Sequence, residues 1–261
     1  MRNLVGAVGW VTGGASGIGE QVCRQLAAAG AQVVLSDVDS RGKTVAQEIG
    51  GTFVETDVGD PAANETAVRA AEEAYGRLDL VHLNAGLAGG TTIGDFDVEK
   101  YRRLMGVNLD GVVFGLAAAL PALKRAGGGA VVATSSLSGL VPFPGEVLYA
   151  ASKHAVVGLV RSAAEQLAGD AITINAVCPG FTDTPLLAAQ ADAFQSAGFP
   201  LVDAATVART VLGLLQGEQT GEAWFIQPGR EPAAYRFRGV PGPAGGAAPP
   251  EDVRNDRWDS A

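Results

Sequence analysis

The sequence predicts an α/β fold: a doubly wound parallel sheet of seven strands with helices on both faces. Two observations predict it, namely short apolar runs typical of buried parallel strands and longer segments of helical periodicity between them. Their alternation through most of the 261 residues favours parallel strands joined by crossover helices. The expected strands are 5–11, 32–36, 52–56, 78–83, 130–134, 172–177 and 223–226. The clearest expected helices are 17–29, 61–75 and 147–167.

Length and composition indicate one large folded domain followed by a tail. Hydrophobic residues make up 47% of the chain, and its length suits a single domain, expected over residues 1–227. Residues 228–261 are rich in proline, glycine and charge and have too little apolar area to fold alone. We expect part of this tail to dock on its own subunit or on a neighbour through Tyr235, Arg236, Phe237, Arg238 and Trp258.

The charge balance and the rarity of metal-ligating residues exclude several classes of function. A net charge of −9 argues against nucleic acid as a partner, because its phosphates would be repelled. No apolar stretch reaches the roughly 20 residues that cross a bilayer, so no membrane partner is expected. The two cysteines, Cys23 and Cys178, and the two histidines, His82 and His154, are isolated in the sequence. They predict no metal site, and free thiols in a reducing, cytoplasmic compartment.

A glycine-rich turn follows the first expected strand and opens the first helix. It reads TGGASGIG over residues 12–19, with Gly13, Gly17 and Gly19 in a GxxxGxG spacing. Glycines let the backbone approach a pyrophosphate closely, and the N-terminus of a helix offers free N–H groups and a positive dipole end. In this strand-turn-helix context the motif predicts a nucleotide phosphate site.

Asp37 ends the second expected strand, 18 residues after Gly19. A carboxylate at that position accepts hydrogen bonds from the adenosine ribose hydroxyls of NAD. It also repels the 2′-phosphate of NADP by like charge. Neither Ser16 nor Ser36 offers a cation to such a phosphate, and the nearby Arg41 is able to pair with a neighbouring aspartate instead. The sequence therefore predicts NAD (NADH) as the cofactor.

Tyr149 and Lys153 are four residues apart, which places them one turn apart on one face of a helix. An ammonium group beside a phenol lowers the pKa of that phenol and makes it a usable base near neutral pH. Ser136 closes the fifth expected strand thirteen residues upstream of Tyr149, and Asn84 closes the fourth. Because ligands bind at the carboxyl ends of parallel strands, we expect Ser136 to hydrogen-bond a substrate oxygen.

Taken together and in this order, the motifs resemble the short-chain dehydrogenase/reductase family over about residues 4–227. The resemblance implies a Rossmann-type fold and hydride transfer between nicotinamide and a secondary alcohol or ketone. It implies that Tyr149 is the general acid/base and that Lys153 lowers its pKa and binds the nicotinamide ribose. It also implies that Ser136 orients the substrate oxygen and that Asn108 holds a water in a proton relay beneath Lys153.

The resemblance implies further roles at the other strand ends. Asp57 and Val58 are expected to contact the adenine, and Asn84 is expected to contact the adenosine-side ribose region. Pro179, Thr182 and Thr184 are expected to lie in the turn that holds the nicotinamide carboxamide. No metal is required. The expected cofactor-binding residues are Gly13, Ser16, Gly17, Ile18, Gly19, Asp37, Asp57, Val58, Asn84, Ala85, Gly86, Tyr149, Lys153, Pro179, Gly180, Thr182 and Thr184.

The segment after Thr184, which usually forms a flexible lid in the family, is short, alanine-rich and mostly uncharged here. An apolar lid over residues 185–200 predicts an apolar alcohol or ketone as substrate, whereas a packed surface helix would predict nothing about the substrate. The apolar side chains of the segment are Leu186, Leu187, Phe194 and Phe199.

A weaker resemblance, carried by the layout of residues 142–145 and 150–154, is to the 15-hydroxyprostaglandin dehydrogenase group. That group often has a glutamine three residues before the tyrosine, where this chain has Glu146. A carboxylate there changes the hydrogen bonding of the substrate. A prostaglandin is therefore not the expected substrate.

Two other functions stay open at this stage. An NADPH-dependent 3-oxoacyl or other ketone reductase is the enzymic alternative, and Asp37 argues against it. A non-catalytic NAD-binding sensor or scaffold is the alternative of another class, and retention of the catalytic residues argues against it. The family resemblance implies a homotetramer or homodimer. The small or apolar residues Ala117–Leu120, Ala155 and Gly158 suit close helix contacts between subunits, and they suit packing within one subunit equally well.

Overall fold

A computed structural model of the chain describes residues 1–89 and 92–239. The strands are β1 Val8–Thr12, β2 Gln32–Asp37, β3 Thr52–Glu55, β4 Leu80–Leu83, β5 Gly129–Thr134, β6 Ile172–Pro179, β7 Ala223–Ile226 and β8 Ala233–Ala234. Over the described residues they form one eight-stranded sheet in the order β3-β2-β1-β4-β5-β6-β7-β8. The strands β1 to β7 are parallel and β8 is antiparallel to β7, so the expected doubly wound α/β fold is confirmed.

The number of strands and the start of β1 differ from the expectation. The eighth strand lies in the expected tail and pairs with Trp224 and Phe225. A strand of two residues carries no periodicity by which the sequence could reveal it. The first strand begins at Val8 rather than Val5, because Gly6 has a φ of 76° and turns the chain before the sheet.

Helices cover both faces of the sheet, as expected. The α-helices of the described residues are α1 Gly17–Ala28, α2 Gly42–Ile49, α3 Pro61–Tyr75, α4 Val98–Met105, α5 Gly111–Arg125, α6 Val147–Leu167, α7 Ala191–Ser196 and α8 Ala204–Gln216. One core layer joins Val11 to Val22 of α1 and Val207 of α8. The other joins Trp10 to α3, α5 and α6, including Val156. Trp10 and Val11 belong to different layers because successive residues of a strand face opposite sides.

The helical run Val98–Arg125 joins α4, a π-helical turn over Gly106–Asp110 and α5. Its most apolar 18-residue window has a mean hydropathy of 1.6, which by length and composition alone is enough to cross a bilayer. The core helix of a soluble protein passes the same test, so this window does not contradict the expectation that no apolar stretch of about 20 residues is present. In the fold α5 packs against α3 and β4, which buries Leu116, Ala119 and Leu123. Part of the apolar character of this run thus belongs to the core.

The first residues of the expected tail dock on the same subunit. The guanidinium carbon of Arg161 on α6 lies 3.8 Å from the ring centroid of Phe237, and that ring packs against the core. The ring of Tyr235 meets Phe237 edge-on, with 4.9 Å between centroids. Arg236 and Arg238 are exposed. The remaining aromatic residue of the tail, Trp258, lies outside the described residues.

The strand order reverses beside β1, which pairs with β2 on one side and with β4 on the other. The crevice outside the carboxyl ends of strands at such a switch point is where open α/β sheets bind ligands. The glycine-rich turn, Asp37, Asn84, Ser135 and Pro179 all end or follow strands at this edge. The fold therefore collects residues that are far apart in the sequence.

Candidate active site

A cavity of about 800 Å³ opens at this edge of the sheet. All but two of the expected site residues line it, the two exceptions being Gly19 and Asn108. The expected residues along its wall are Gly13, Ser16, Gly17, Ile18, Asp37, Asp57, Val58, Asn84, Ala85, Gly86, Ser136, Tyr149, Lys153, Pro179, Gly180, Thr182 and Thr184. A second cavity, of about 500 Å³ beside Arg2 and Arg77, is lined by none of them.

The glycine-rich turn requires its glycines for two separate reasons. Gly17 starts α1 with a φ of 55°, a conformation that favours glycine. A Cβ at Gly19 would collide with the carbonyl oxygen of Gly13, so Gly19 supports the turn from behind and does not line the cavity. Ser16 is the N-cap of α1, and its hydroxyl makes no capping hydrogen bond. That hydroxyl and the N-terminus of α1 can therefore bind an anion.

Asp37 closes β2 at the rim of the cavity, and its carboxylate is fixed by the backbone. The N–H groups of Ala15 and Asp39 each donate to one of its oxygens, both at 3.0 Å. Arg41 Nε donates to Asp39 Oδ2 at 2.8 Å, so this cation pairs with Asp39 and not with Asp37. The side chain of Ser36 is buried and accepts a hydrogen bond from Trp10 Nε1. A negative charge with no adjacent cation of its own thus stands at this position.

The side chain of Asn84 ties three strand ends together. Its Nδ2 donates to the carbonyl oxygens of Thr12 at 3.1 Å and Gly13 at 3.3 Å, and its Oδ1 accepts from Thr134 Oγ1 at 3.1 Å. The amide of Asn84 therefore holds the glycine-rich turn against β4 and β5. Ala85 and Gly86, directly after it, continue the cavity wall.

Tyr149 lies in the first turn of α6, and both Tyr149 and Ser136 line the cavity. Burial raises the pKa of the phenol, and this effect outweighs that of the nearby Ser136 hydroxyl, which favours the phenolate. The negative charge of Glu146, one turn earlier, adds to the upward shift of the Tyr149 pKa. The phenol is therefore a proton donor at neutral pH.

Lys153 is almost completely buried, with 3% of its surface exposed. Its Nζ donates to the carbonyl oxygen of Thr134 at 3.0 Å and lies 5.7 Å from the ring centroid of Tyr149. Burial lowers the pKa of Lys153 to about 8. The lowering of the Tyr149 pKa by Lys153 stays a prediction, and in this structure the burial of the phenol raises that pKa.

Asn108 lies in the π-helical turn and is fully buried. Its Oδ1 accepts from Leu87 N at 2.7 Å, and its Nδ2 donates to Leu87 O at 2.9 Å and to Ser152 Oγ at 3.2 Å. Both amide hydrogens are thus used within the protein. A Cβ on Gly86 would lie 3.4 Å from Lys153 Nζ and 3.6 Å from Asn108 Oδ1, so both groups lie next to Gly86, with Asn108 behind the cavity wall.

One end of the cavity is apolar, and most of its residues were not predicted. Phe181 follows β6 directly, and its ring lies 4.7 Å from that of Phe194 and 6.2 Å from that of Phe143 between centroids. The lid residues Leu186, Leu187 and Phe194 line this end, whereas Phe199 packs on the far side of Phe181. The wall residues that the sequence did not single out are Leu137, Ser138, Val141, Pro142, Phe143 and Phe181. A usable signal existed only for Leu137, Ser138 and Phe181, which lie within four residues of the ends of β5 and β6.

Comparisons with known proteins agree with this geometry. The family model described as short chain dehydrogenase matches residues 7–194. The 3-alpha-(or 20-beta)-hydroxysteroid dehydrogenase of Mycobacterium tuberculosis is 35% identical over 233 residues, which cover 87% of this chain and 90% of that protein. The mitochondrial borneol dehydrogenase of Lavandula x intermedia is 36% identical over 71% of this chain and 73% of that protein.

Solved structures lead to the same family. The 3-ketoacyl-(acyl-carrier-protein) reductase from Brucella melitensis complexed with NADH has a TM-score of 0.81 and 29% identity, covering 87% of this chain and 99% of the other. Levodione reductase has a TM-score of 0.79 and 31% identity, covering 86% and 97%. By fold, motifs and relatives, the chain belongs to the short-chain dehydrogenase/reductase family and is an oxidoreductase.

Proposed function

We propose that the protein is an NAD(H)-dependent oxidoreductase that interconverts an apolar secondary alcohol and its ketone. The observation that carries the proposal is that Tyr149, Ser136 and Lys153 line one cavity that also has a polar and an apolar end. The polar end has the N-terminus of α1 and Asp37, which suit a dinucleotide. The apolar end has three phenylalanine rings, which suit a hydrocarbon substrate.

The residues present fit a nicotinamide dinucleotide. The glycine-rich turn and the unused hydroxyl of Ser16 offer donors to phosphates, and the fixed carboxylate of Asp37 offers acceptors to ribose hydroxyls. Asp57 and Val58 lie on the wall where an adenine would be held, and Thr182 and Thr184 on the wall beside Pro179. When bound, such a cofactor accepts or supplies the hydride.

The side chains supply the proton chemistry. Ser136 and Tyr149 hold the substrate oxygen between two hydroxyl groups, and the phenol gives its proton to that oxygen during ketone reduction. The raised pKa of Tyr149 keeps it protonated for this step. In the oxidation direction Tyr149 must accept a proton, so oxidation should become faster as the pH rises. The ammonium of Lys153 stabilises the phenolate, and Asn108 fixes the adjoining loop at Leu87.

The substrate is proposed to be a compact apolar alcohol, preferably cyclic. The aromatic end of the cavity supports this, and so do the relatives, which by their names act on hydroxysteroids and borneol. The alternative, a 3-oxoacyl reductase, is favoured by the Brucella melitensis structure, although that protein is itself complexed with NADH. An NAD-binding sensor is less favoured because it does not require Ser136, Tyr149 and Lys153 together on the cavity wall.

We further propose that the protein assembles as a homotetramer or homodimer through the outer faces of α5 and α6. Val113, Ala117 and Gly158 are exposed there and are small or apolar. A cytoplasmic location is part of the proposal, because Cys23 and Cys178 are both free and buried thiols, which suits a reducing compartment.

The first test is a fluorescence titration of the purified protein with NADH and NADPH. We expect NADH to bind at least about tenfold more tightly, since like charges at a binding site cost more than about 1.4 kcal/mol. Asp37→Asn, which keeps the shape and removes the charge, should reduce this preference. Glu55→Gln is the matched control, because Glu55 is the register partner of Asp37 on β3 and does not line the cavity.

The second part of the test is turnover of borneol and cyclohexanol. Tyr149→Phe should abolish turnover while leaving NADH binding in place. A clear preference for NADPH would move the ketone reductase to first place. Full turnover by Tyr149→Phe would show that the assigned proton donor is wrong.

A further inference from the structure

Glu146 is the one carboxylate on the wall of the apolar end of the cavity, as far as the described residues go. It ends a 3-10 turn over Pro144–Glu146 and directly precedes α6. Its neighbours on the wall, Val141, Pro142 and Phe143, offer it no hydrogen-bond donor side chain. Glu146 is half-buried.

The protein itself satisfies only part of this carboxylate. Glu146 Oε2 accepts one hydrogen bond, from the N–H of Gly89 at 3.0 Å, which connects the loop after β4 to the start of α6. None of the ion pairs found among the described residues includes Glu146. An ionised carboxylate has about four lone-pair positions, so acceptor capacity remains on the cavity side.

The free acceptor lies close to the reacting group. Side chains of a helix lean towards its N-terminus, so the phenol of Tyr149 extends over the turn that contains Glu146. The charge of Glu146 acts on Tyr149 strongly enough to raise the pKa of the phenol, which supports this proximity. A substrate oxygen held by Tyr149 and Ser136 therefore lies near a carboxylate that accepts only one hydrogen bond from the described residues.

We propose that Glu146 is a specificity-determining residue that accepts a hydrogen bond from a second hydroxyl of the substrate, next to the carbon that is oxidised. This inference rests on the proposed function, since it assumes that Tyr149 acts on an alcohol in this cavity. The substrate class is then an apolar, preferably cyclic vicinal diol, or in the reverse direction the corresponding hydroxyketone. The phenylalanine rings would hold the hydrocarbon part while Glu146 holds the second hydroxyl.

The test compares kcat/KM for a vicinal cyclohexanediol with kcat/KM for cyclohexanol. The wild-type protein should prefer the diol, and Glu146→Ala should lower the ratio of the two values at least about tenfold, as expected when a hydrogen-bonded substrate group loses its partner. Glu146→Gln keeps an acceptor oxygen for Gly89 and for the substrate, so it should retain part of the preference. Glu73→Ala, an exposed carboxylate of α3 outside the cavity, is the control and should leave the ratio unchanged.

A ratio separates specificity from damage to the loop at Gly89, because a displaced loop or a lower folded fraction reduces both values together. An unchanged ratio in Glu146→Ala, or a wild-type preference for cyclohexanol, would overturn the inference while the proposed function stands. Loss of NADH binding or full activity of Tyr149→Phe would instead overturn the proposed function. If neither alcohol is oxidised, the affinities of hydroxycyclohexanone and cyclohexanone are compared by the quenching of bound NADH fluorescence. Tighter binding of the hydroxyketone by the wild type, lost in Glu146→Ala, would support the inference. Equal binding of the two ketones would reject it.

Discussion

A single buried residue, His82, supports the site from below. Its Nε2 lies 2.9 Å from Thr134 Oγ1, and Thr134 Oγ1 donates to Asn84 Oδ1. Because the threonine hydroxyl has only one proton and gives it to Asn84, His82 donates to Thr134 through Nε2. Nδ1 has no hydrogen-bond partner among the described residues, and burial lowers the pKa of His82 to about 3. The chain His82–Thr134–Asn84 thus connects the core to the glycine-rich turn.

This burial predicts that His82 makes the fold acid-sensitive. The unfolded chain binds a proton at His82 near pH 6.5, whereas the folded protein binds it only near pH 3. Between these pH values the unfolded state therefore holds more protons than the folded state. The free energy of unfolding consequently falls as the pH falls. At pH 5 the loss from this residue is about 2 kcal/mol. Between pH 7 and pH 5, the free energy of unfolding of His82→Gln should fall by about 2 kcal/mol less than that of the wild type, as measured by urea unfolding.

The comparison uses the pH dependence and not the absolute stability, since His82→Gln also alters packing. His154→Gln, at an exposed position of α6, is the matched control and should keep the wild-type pH dependence. An unchanged pH dependence in His82→Gln would mean that the histidine is already protonated in the folded protein at pH 5.

At the scale of elements, the lid divides its aromatic residues between two tasks. It runs from a 3-10 segment at Pro185–Gln190 into α7, and a bridge between Thr182 and Val202 closes its base. Phe194 lines the cavity, whereas Phe199 contacts Phe181 at 5.8 Å without lining the cavity. One ring is therefore placed to contact substrate, and the other supports the cluster.

This division predicts different effects of two equal truncations. Phe194→Ala should raise KM for borneol about tenfold, because removing an aromatic contact loses about 1.5–3 kcal/mol of apolar burial. The same variant should change KM for a small alcohol such as 2-butanol much less. Phe199→Ala, the matched control, should change the ratio of the two KM values little. Steady-state kinetics on both alcohols measure this. Equal loss on both substrates with Phe194→Ala would show that the ring only stabilises the lid.

The same contrast explains how far sequence reasoning reached. Strands buried on both faces show as continuous apolar runs, and polar residues that end them fall at the ligand-binding edge. Asp37 and Ser136 were predictable on these grounds, and Tyr149 from its spacing to Lys153 and the family resemblance. The place of Glu146, Phe143 and Phe181 depends on irregular segments that tertiary contacts arrange, and no periodicity encodes such contacts. The upward shift of the Tyr149 pKa follows from the burial of the phenol, which the sequence does not reveal.

At the scale of the whole molecule, the outer faces of α5 and α6 differ from the other helices. Elsewhere the exposed helix surface carries ion pairs, as between Arg24 and Glu48. Only 39% of the most apolar window of Val98–Arg125 is buried, so much of this apolar surface is left open by the single chain. The exposed glycine of α6, Gly158, has open space where a side chain would stand, since no atom lies within 4 Å of the position of a Cβ. Such a surface suits close contact with a second copy of the chain.

Gly158→Arg should therefore break the assembly without unfolding the subunit. Open space around Gly158 accommodates the longer side chain in the monomer, and replacing a helical glycine adds up to about 1 kcal/mol of helix stability. Gly213→Arg is the matched control, because Gly213 is equally open on α8, in the opposite helical layer. In sedimentation velocity the wild type and Gly213→Arg should run as a dimer or tetramer, and Gly158→Arg as a smaller species that unfolds as cooperatively as the wild type on heating. If all three sediment alike as oligomers, the subunits meet through another surface; if all three are monomers, the open apolar face of α5 and α6 has a different partner.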